Sequence, residues 1–395
     1  MLFLEKGGCL KIMKLEKLNK RNTSMDIIRV VAVFFVVSIH FLLNNEYYYE
    51  DNIGVNMYIM CTMRTFFATC IPLFLLLTGY LMSKKTLSKR YYLGLVRILL
   101  IYVMSGIICV LFKRNYLKLD VDFKTAIMEL LNFTLAPYGW YIELYIGLFL
   151  LIPFLNILYN GINSQKHKKI LLITLFSMTI LPTLFNIFSF TSEQAWYNPS
   201  ATDTITEILP NWWAMIYPIT YYFLGTYIRE YGLKIKTPIA IIILLISIVS
   251  FGAFNFFRSY NTTFESGSYV SWNGIESFVM AVLIFALLSR IKANKMLSWI
   301  RWVLWKISDA ALGIYLLSYI FDTIAYEKLL DAVPVIPDRL KYYFVIVPFV
   351  FVCSLASSLV LNLILKMMNF AVDQIKGIFS TLKSDTSQEL TENNK

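Results

Sequence analysis

The chain has 395 residues, of which 58% are hydrophobic and 15% charged, and its net charge is +11. That balance is too apolar for one soluble core and reads as an all-α polytopic membrane protein. Most basic residues lie in short loops between apolar runs, where they orient a membrane protein rather than bind nucleic acid.

The lysine-rich leader, residues 1–25, has no apolar core of useful length and no small-residue cleavage site, so it is a basic cytoplasmic segment and not a signal peptide. Glu5-Lys6-Gly7-Gly8 can be encoded by a bacterial ribosome-binding sequence, which makes Met13 the expected natural start. Runs near the ~20 residues that a spanning helix needs then follow at 27–43, 57–82, 91–112, 140–160, 168–190, 211–229, 237–257, 271–290, 302–325 and 341–368. Membrane-barrel strands would alternate polar and apolar residues, and these runs do not. The segment "KTAIMELLNFTLA" (124–136) is too short to cross and reads as an amphipathic piece at the interface. The membrane domain is 26–372, and a polar tail at 373–395 is expected to be disordered.

Loop charge sets the orientation. "SKKTLSKR", "NSQKHKK", "REYGLKIK" and "RIKANKMLSWIR" are basic, whereas "NNEYYYEDNIG" and "TSEQAWYNPSATDTITEILP" carry acids and no Lys or Arg. The rule that positive loops stay inside predicts about ten transmembrane helices with both termini cytoplasmic. The five cysteines form no metal spacing. No phosphate-binding loop, dinucleotide glycine fingerprint or Gly-x-Ser-x-Gly elbow is present.

The first span, "DIIRVVAVFFVVSIHF", carries Arg29 and His40. Eleven positions apart on a helix, they lie within about 20° of one another and roughly 16 Å apart along the axis. Asp26 shares the Arg29 face. An ionisable residue inside a span is expensive and usually faces a protein interior or pathway. Arg29 is shallow enough to snorkel instead. His40 is either a structural, hydrogen-bonded imidazole or a group for proton transfer.

"MDIIRVVAVFFVVSIHF" resembles the first helix of the membrane acyltransferase type 3 family, which carries Arg, ten residues, then His. "CIPLFLLLTGYLM" (70–82), "KRYYLGLVRILLIY" (89–102), "GWYIELYIGLFLLIPFLN" (139–156) and "ISDAALGIYLLSYI" (307–320) resemble later helices of that family, in the same order. The resemblance implies a ten-helix core. It also implies transfer of an acyl group, usually acetyl from acetyl-CoA, to sugars of cell-surface polysaccharide, lipopolysaccharide or peptidoglycan. The chain departs from the pattern at Val30, at Gly94 in place of a paired arginine, and at Ser318 in place of a histidine.

Arg29 and Arg97 both enter the membrane from the cytoplasm at similar shallow depth. Guanidinium groups bind phosphate bidentately, so with Arg90 they are expected to hold the phosphates of acetyl-CoA. His40, deeper, is expected to act as general base or as acyl-carrying nucleophile. Glu143 in the fourth span, at matching depth, either orients that imidazole or faces water. Arg64 either holds an acidic or sugar acceptor or pairs with a carboxylate such as Glu143. Trp140 and Tyr141 either stack on a sugar or belong to an aromatic belt. Asp309 is a candidate substrate contact or a partner for Arg97 or Arg29.

The reading is a membrane O-acyltransferase of the bacterial cytoplasmic membrane, with an acyl-CoA donor and a cell-surface or lipid-linked glycan acceptor, surrounded by membrane lipids. A succinyl donor remains open. The rivals are a transporter or flippase using the same polar channel without chemistry, and a membrane-embedded recognition domain.

Overall fold

The computed structural model describes residues 21–185, 209–264, 271–292 and 295–392. The leader up to residue 20 and most of the acidic loop at 191–210 lie outside the described residues. The helices are α1 (Thr23–Asn44), α2 (Gly54–Phe67), α3 (Cys70–Met82), α4 (Lys89–Asn115), α5 (Phe123–Leu131), α6 (Trp140–Gly161), α7 (Gln165–Thr179), α8 (Tyr217–Tyr231), α9 (Thr237–Arg258), α10 (Ile275–Ser289), α11 (Ser298–Ala332) and α12 (Tyr343–Glu392). Among the described residues there is no strand, only an isolated bridge between Asn52 and Tyr260.

Among the described residues, eight helical runs are long and apolar enough to cross a membrane, with α2 and α3 forming one of them and α7 continued by a short helix, Pro182–Phe185, in another. The segments read at 211–229 and 271–290 are helical too, but α8 and α10 have 15 residues each. At 1.5 Å per residue that is ~22 Å, short of the ~30 Å hydrocarbon core. α8 is extended at its start by a 3-10 turn, Asn211–Ile216. The second span is broken at Ala68–Thr69, three residues before Pro72, whose missing backbone N–H falls in the first turn of α3 and disrupts nothing. α12 continues to Glu392, through the polar stretch whose composition reads as disordered.

Local chemistry fixes the helix ends. Asn22 caps α1 by accepting from the Ser24 N–H, and Ser88 caps α4 by accepting from that of Tyr91. Pro153 lies inside α6 and donates no N–H to the Phe149 carbonyl. The Tyr91 hydroxyl donates to that carbonyl instead, at 2.5 Å, so the Phe149 carbonyl is not left bare.

α1 packs against α2, α3, α10, α11 and α12. The most apolar window on α1 is 61% buried, against 28% on α4 and on α9, so α1 is central and the other two face lipid. α3 and α8 cross closely. A Cβ at Gly79 would run into the Tyr222 carbonyl, and one at Gly225 into the Leu76 carbonyl.

The loops at the basic end of the bundle are tied together: Asn156 donates to the Met82 and Lys85 carbonyls at 2.9 and 2.8 Å. At the opposite end Arg339 donates to the Val333 and Asn45 carbonyls and pairs with Glu46 at 2.8 Å. α5 lies at this opposite end with Phe123, Met128 and Leu131 exposed, and Lys113 of α4 holds it through Glu129 at 3.0 Å.

Candidate active site

α1 and α11 run side by side in the same direction, so Asp26 meets Ser308 at the basic end and His40 meets Asp322 further along. The Asp26 carboxylate accepts two hydrogen bonds from Arg21, both 2.6 Å, and one from Ser308 at 2.6 Å. Arg29 donates to the Ser308 hydroxyl at 2.8 Å and stands 3.9 Å from Asp26. A guanidinium has five N–H donors. Arg21 engages both carboxylate oxygens of Asp26, and Arg29 keeps most of its donors for the space in front of it.

That space is a cavity of about 380 Å³ between α1, α3, α4, α6 and α11. Arg29, Arg97, Ser308 and Asp309 line its polar end, and Phe74, Tyr141 and Tyr315 line the far end. Its α3 wall runs from Ile71 to Met82, eleven residue steps or ~16 Å of helix. Arg97 bonds Asp309 at 3.2 Å with its own side chain 58% exposed, which puts it at the mouth.

The far end stops short of His40. Val36 is the last α1 residue on the cavity wall, and His40 lies one turn, ~6 Å, beyond it. His40 is 7% exposed and Asp322 1%. His40 Nδ1 and Asp322 Oδ2 are 3.3 Å apart, a close contact without the alignment of a strong hydrogen bond. The Tyr138 ring covers the imidazole at 4.0 Å between centroids. Its hydroxyl accepts from Asn44 Nδ2 at 3.1 Å and donates to Asp322 Oδ2 at 3.0 Å. The Tyr315 hydroxyl donates to the Tyr138 carbonyl, so Tyr315 belongs to both the cavity wall and the His40 cluster. A carboxylate facing Nδ1 favours the proton there and leaves Nε2 as the basic nitrogen, the arrangement by which histidine takes a proton from a hydroxyl.

The expected residues separate into two groups. Arg29, Arg97, Asp309 and Tyr141 converge on one cavity, and Asp309 takes Arg97 as its partner rather than Arg29. Arg90 is exposed in the first turn of α4 and is not on the cavity wall. Arg64 bonds the Tyr48 hydroxyl at 3.1 Å and lies over Phe264, away from the cavity. Trp140 stacks on Trp272 at 4.4 Å.

Glu143 does not orient His40. It is exposed on α6 and, among the described residues, makes no hydrogen bond or ion pair. Ile142 and Phe149 define the buried face of α6, and Glu143 is rotated away from it. The carboxylate at the imidazole is Asp322, which sequence reasoning passed over. Its signal was available: an acid in the outer half of the ninth span, matched in depth to His40. Tyr138 carried none, because it lies in the short connection before the fourth span.

A family model described as an acyltransferase domain matches residues 22–365. No curated protein and no solved structure matches the chain.

Proposed function

The chain belongs to the membrane acyltransferase type 3 family, and we propose that it transfers acetyl from cytosolic acetyl-CoA to a hydroxyl of a cell-surface or lipid-linked glycan. The observation that carries this reading is the alignment of three features along one axis: an arginine-lined mouth, an apolar shaft, and an imidazole–carboxylate pair just past its end.

A cavity of about 380 Å³ falls in the range of roughly 300–1,000 Å³ typical of small-molecule sites, and it is too small for a whole coenzyme A. The thin pantetheine arm enters the shaft, and the nucleotide stays at the mouth. There Arg29 and Arg97 supply planar donors for phosphate, and Lys84, Lys85, Lys89 and Arg90 supply attraction at longer range. With the basic end in the cytoplasm of a bacterial cell, the thioester is delivered toward the outer half of the membrane, where the acceptor arrives.

In the reaction, His40 Nε2 takes the proton of the acceptor hydroxyl as its oxygen bonds to the thioester carbonyl carbon. The tetrahedral intermediate collapses, the carbon–sulfur bond breaks, and the imidazolium returns its proton to the departing thiolate. Asp322 holds the imidazole and stabilises its charged form.

The test is release of free thiol from acetyl-CoA by the purified protein. Parent protein should release it and His40→Ala should lose ~10²-fold or more, the scale of a general base. A protein that binds acetyl-CoA and releases no thiol with any glycan acceptor is a transporter or a recognition domain.

A further inference from the structure

The donor cavity stops one turn short of His40, and the Tyr138 ring covers the imidazole. Tyr138 lies on the strap between α5 and α6, with its ring on the imidazole and its hydroxyl between Asn44 and Asp322. We infer that Tyr138 occupies the acceptor's place: its phenol sits where a sugar hydroxyl docks, and the acceptor must displace it to reach His40. This inference rests on the acyltransferase reading and adds to it an acceptor site made of Asn44, Asp322 and His40.

The hydrogen-bond chemistry supports it. A sugar hydroxyl has one oxygen to accept a bond and one proton to give, and a hydroxyl neighbouring the attacking one fits here while the attacking hydroxyl gives its proton to His40 Nε2. Asn44 Nδ2 is a donor, itself held by bonding the His40 carbonyl at 2.9 Å, and Asp322 Oδ2 is an acceptor. The Tyr138 hydroxyl satisfies both, as a sugar hydroxyl would. The buried Asp322 Oδ2 would lose its hydrogen-bond donor without that hydroxyl, so the site is closed by an internal mimic until an acceptor arrives.

The strap is held through its backbone and its buried neighbours. Leu135 and Ala136 are buried, and the Lys113–Glu129 pair anchors the helix before them. A Cβ at Gly139 would strike the Phe133 carbonyl, so the turn is tight. Tyr315 bonds the Tyr138 carbonyl. Departure of the plug is therefore a side-chain rotation, not a movement of the strap. The closed state also keeps water from the thioester while no acceptor is present.

The sequence offers a direct reporter. His40 and His167 are the chain's two histidines, and His167 is exposed in the first turn of α7. In a His167→Gln background, carbethoxylation by diethyl pyrocarbonate reads His40 alone. Tyr138→Ala should raise its rate at least about tenfold, because reaction no longer waits for a local opening. Tyr138→Phe keeps the ring and should stay near the parent rate. Should Tyr138→Ala fail to fold, Tyr315→Phe, which releases the strap carbonyl and keeps both rings, should show an intermediate rise. Tyr138→Ala should also release thiol from acetyl-CoA without any acceptor, as water enters the vacated position.

Unchanged His40 reactivity in folded Tyr138→Ala overturns the inference. So does equal reactivity in the Phe and Ala variants, and so does an acceptor-free thiol release no faster than in a turning-over parent. A rise in His40 reactivity with no thiol release from the parent under any condition leaves the plug standing and removes the acyltransferase reading.

Discussion

Replacing Asp322 by Asn isolates the charge beside His40 while nearly conserving shape. In the parent, Oδ2 lies 3.3 Å from Nδ1. When His40 becomes protonated, that separation corresponds to about 5 kcal/mol of attraction at an effective dielectric of about 20. The Tyr138 hydroxyl on the same oxygen shares the charge, and an asparagine oxygen keeps part of the interaction. A net loss of ~2–4 kcal/mol is left, or about 30- to 1,000-fold in kcat. Asparagine also brings an N–H₂ group that, turned toward Nδ1, drives the proton to Nε2 and removes the basic nitrogen. Neither effect reaches the mouth of the cavity, since Asp322 is not on its wall. The assay is thiol release from acetyl-CoA with acceptor, alongside the acetyl-CoA dissociation constant and the melting temperature of the same detergent-purified variant. The expected pattern is a large fall in kcat with affinity and melting unchanged. A kcat within about threefold of parent would show that no charged partner assists His40 and would refute the dyad.

Arg97→Lys should weaken acetyl-CoA binding by roughly 1–3 kcal/mol, the scale of a charge-assisted hydrogen bond. Its melting temperature should hardly move, because a half-exposed pair such as Arg97–Asp309 contributes about 0–1 kcal/mol; unchanged affinity would take Arg97 out of the donor site. Gly225→Ala should lower stability by about 1–3 kcal/mol, read as a drop in melting temperature, because its methyl group meets the Leu76 carbonyl where α3 and α8 cross. A reporter fused after residue 166 should be cytoplasmic and one after residue 200 external, and the opposite result would put the arginine mouth on the wrong side for a cytosolic donor.

Hydropathy alone located every helix that builds the site, because about twenty consecutive apolar residues have few alternatives in this composition. It did not locate the break between α2 and α3, since "TFFATCIP" is apolar on both sides of Thr69 and only Pro72 marks a new start. Nor did it separate spans of full length from α8 and α10, whose ends run into aromatic or polar residues that a window average smooths over.

The site divides along a similar line, between depth and rotation. Depth follows from counting residues from a loop; by that count Arg29 goes with Arg97, with which it shares the cavity wall, and His40 goes with Glu143, which is exposed elsewhere on α6. Rotation follows from which face of each helix finds partners, and in a membrane span both faces are apolar, so the period that reveals a buried face in a soluble helix is faint. α6 shows the consequence. Glu143 and Tyr141 are two residues apart and so about 160° apart around the axis; Tyr141 lines the cavity and Glu143 is exposed. Choosing between them needed the packing of Phe74, Tyr145 and Tyr315 around Tyr141. On α11 the ambiguity could have been resolved from sequence. Ser308, Tyr315 and Asp322 recur every seven residues, a spacing that keeps side chains on one stripe. Ser308 bonds Arg29 at one end of that stripe, Tyr315 closes the cavity in its middle, and Asp322 faces His40 at the other. Arg29, Val36 and His40, seven and four residues apart, likewise share one stripe of α1. Two parallel helices with matching stripes must bring their polar residues together level by level, and that pairing, rather than depth alone, selects Asp322 over Glu143 as the partner of the histidine.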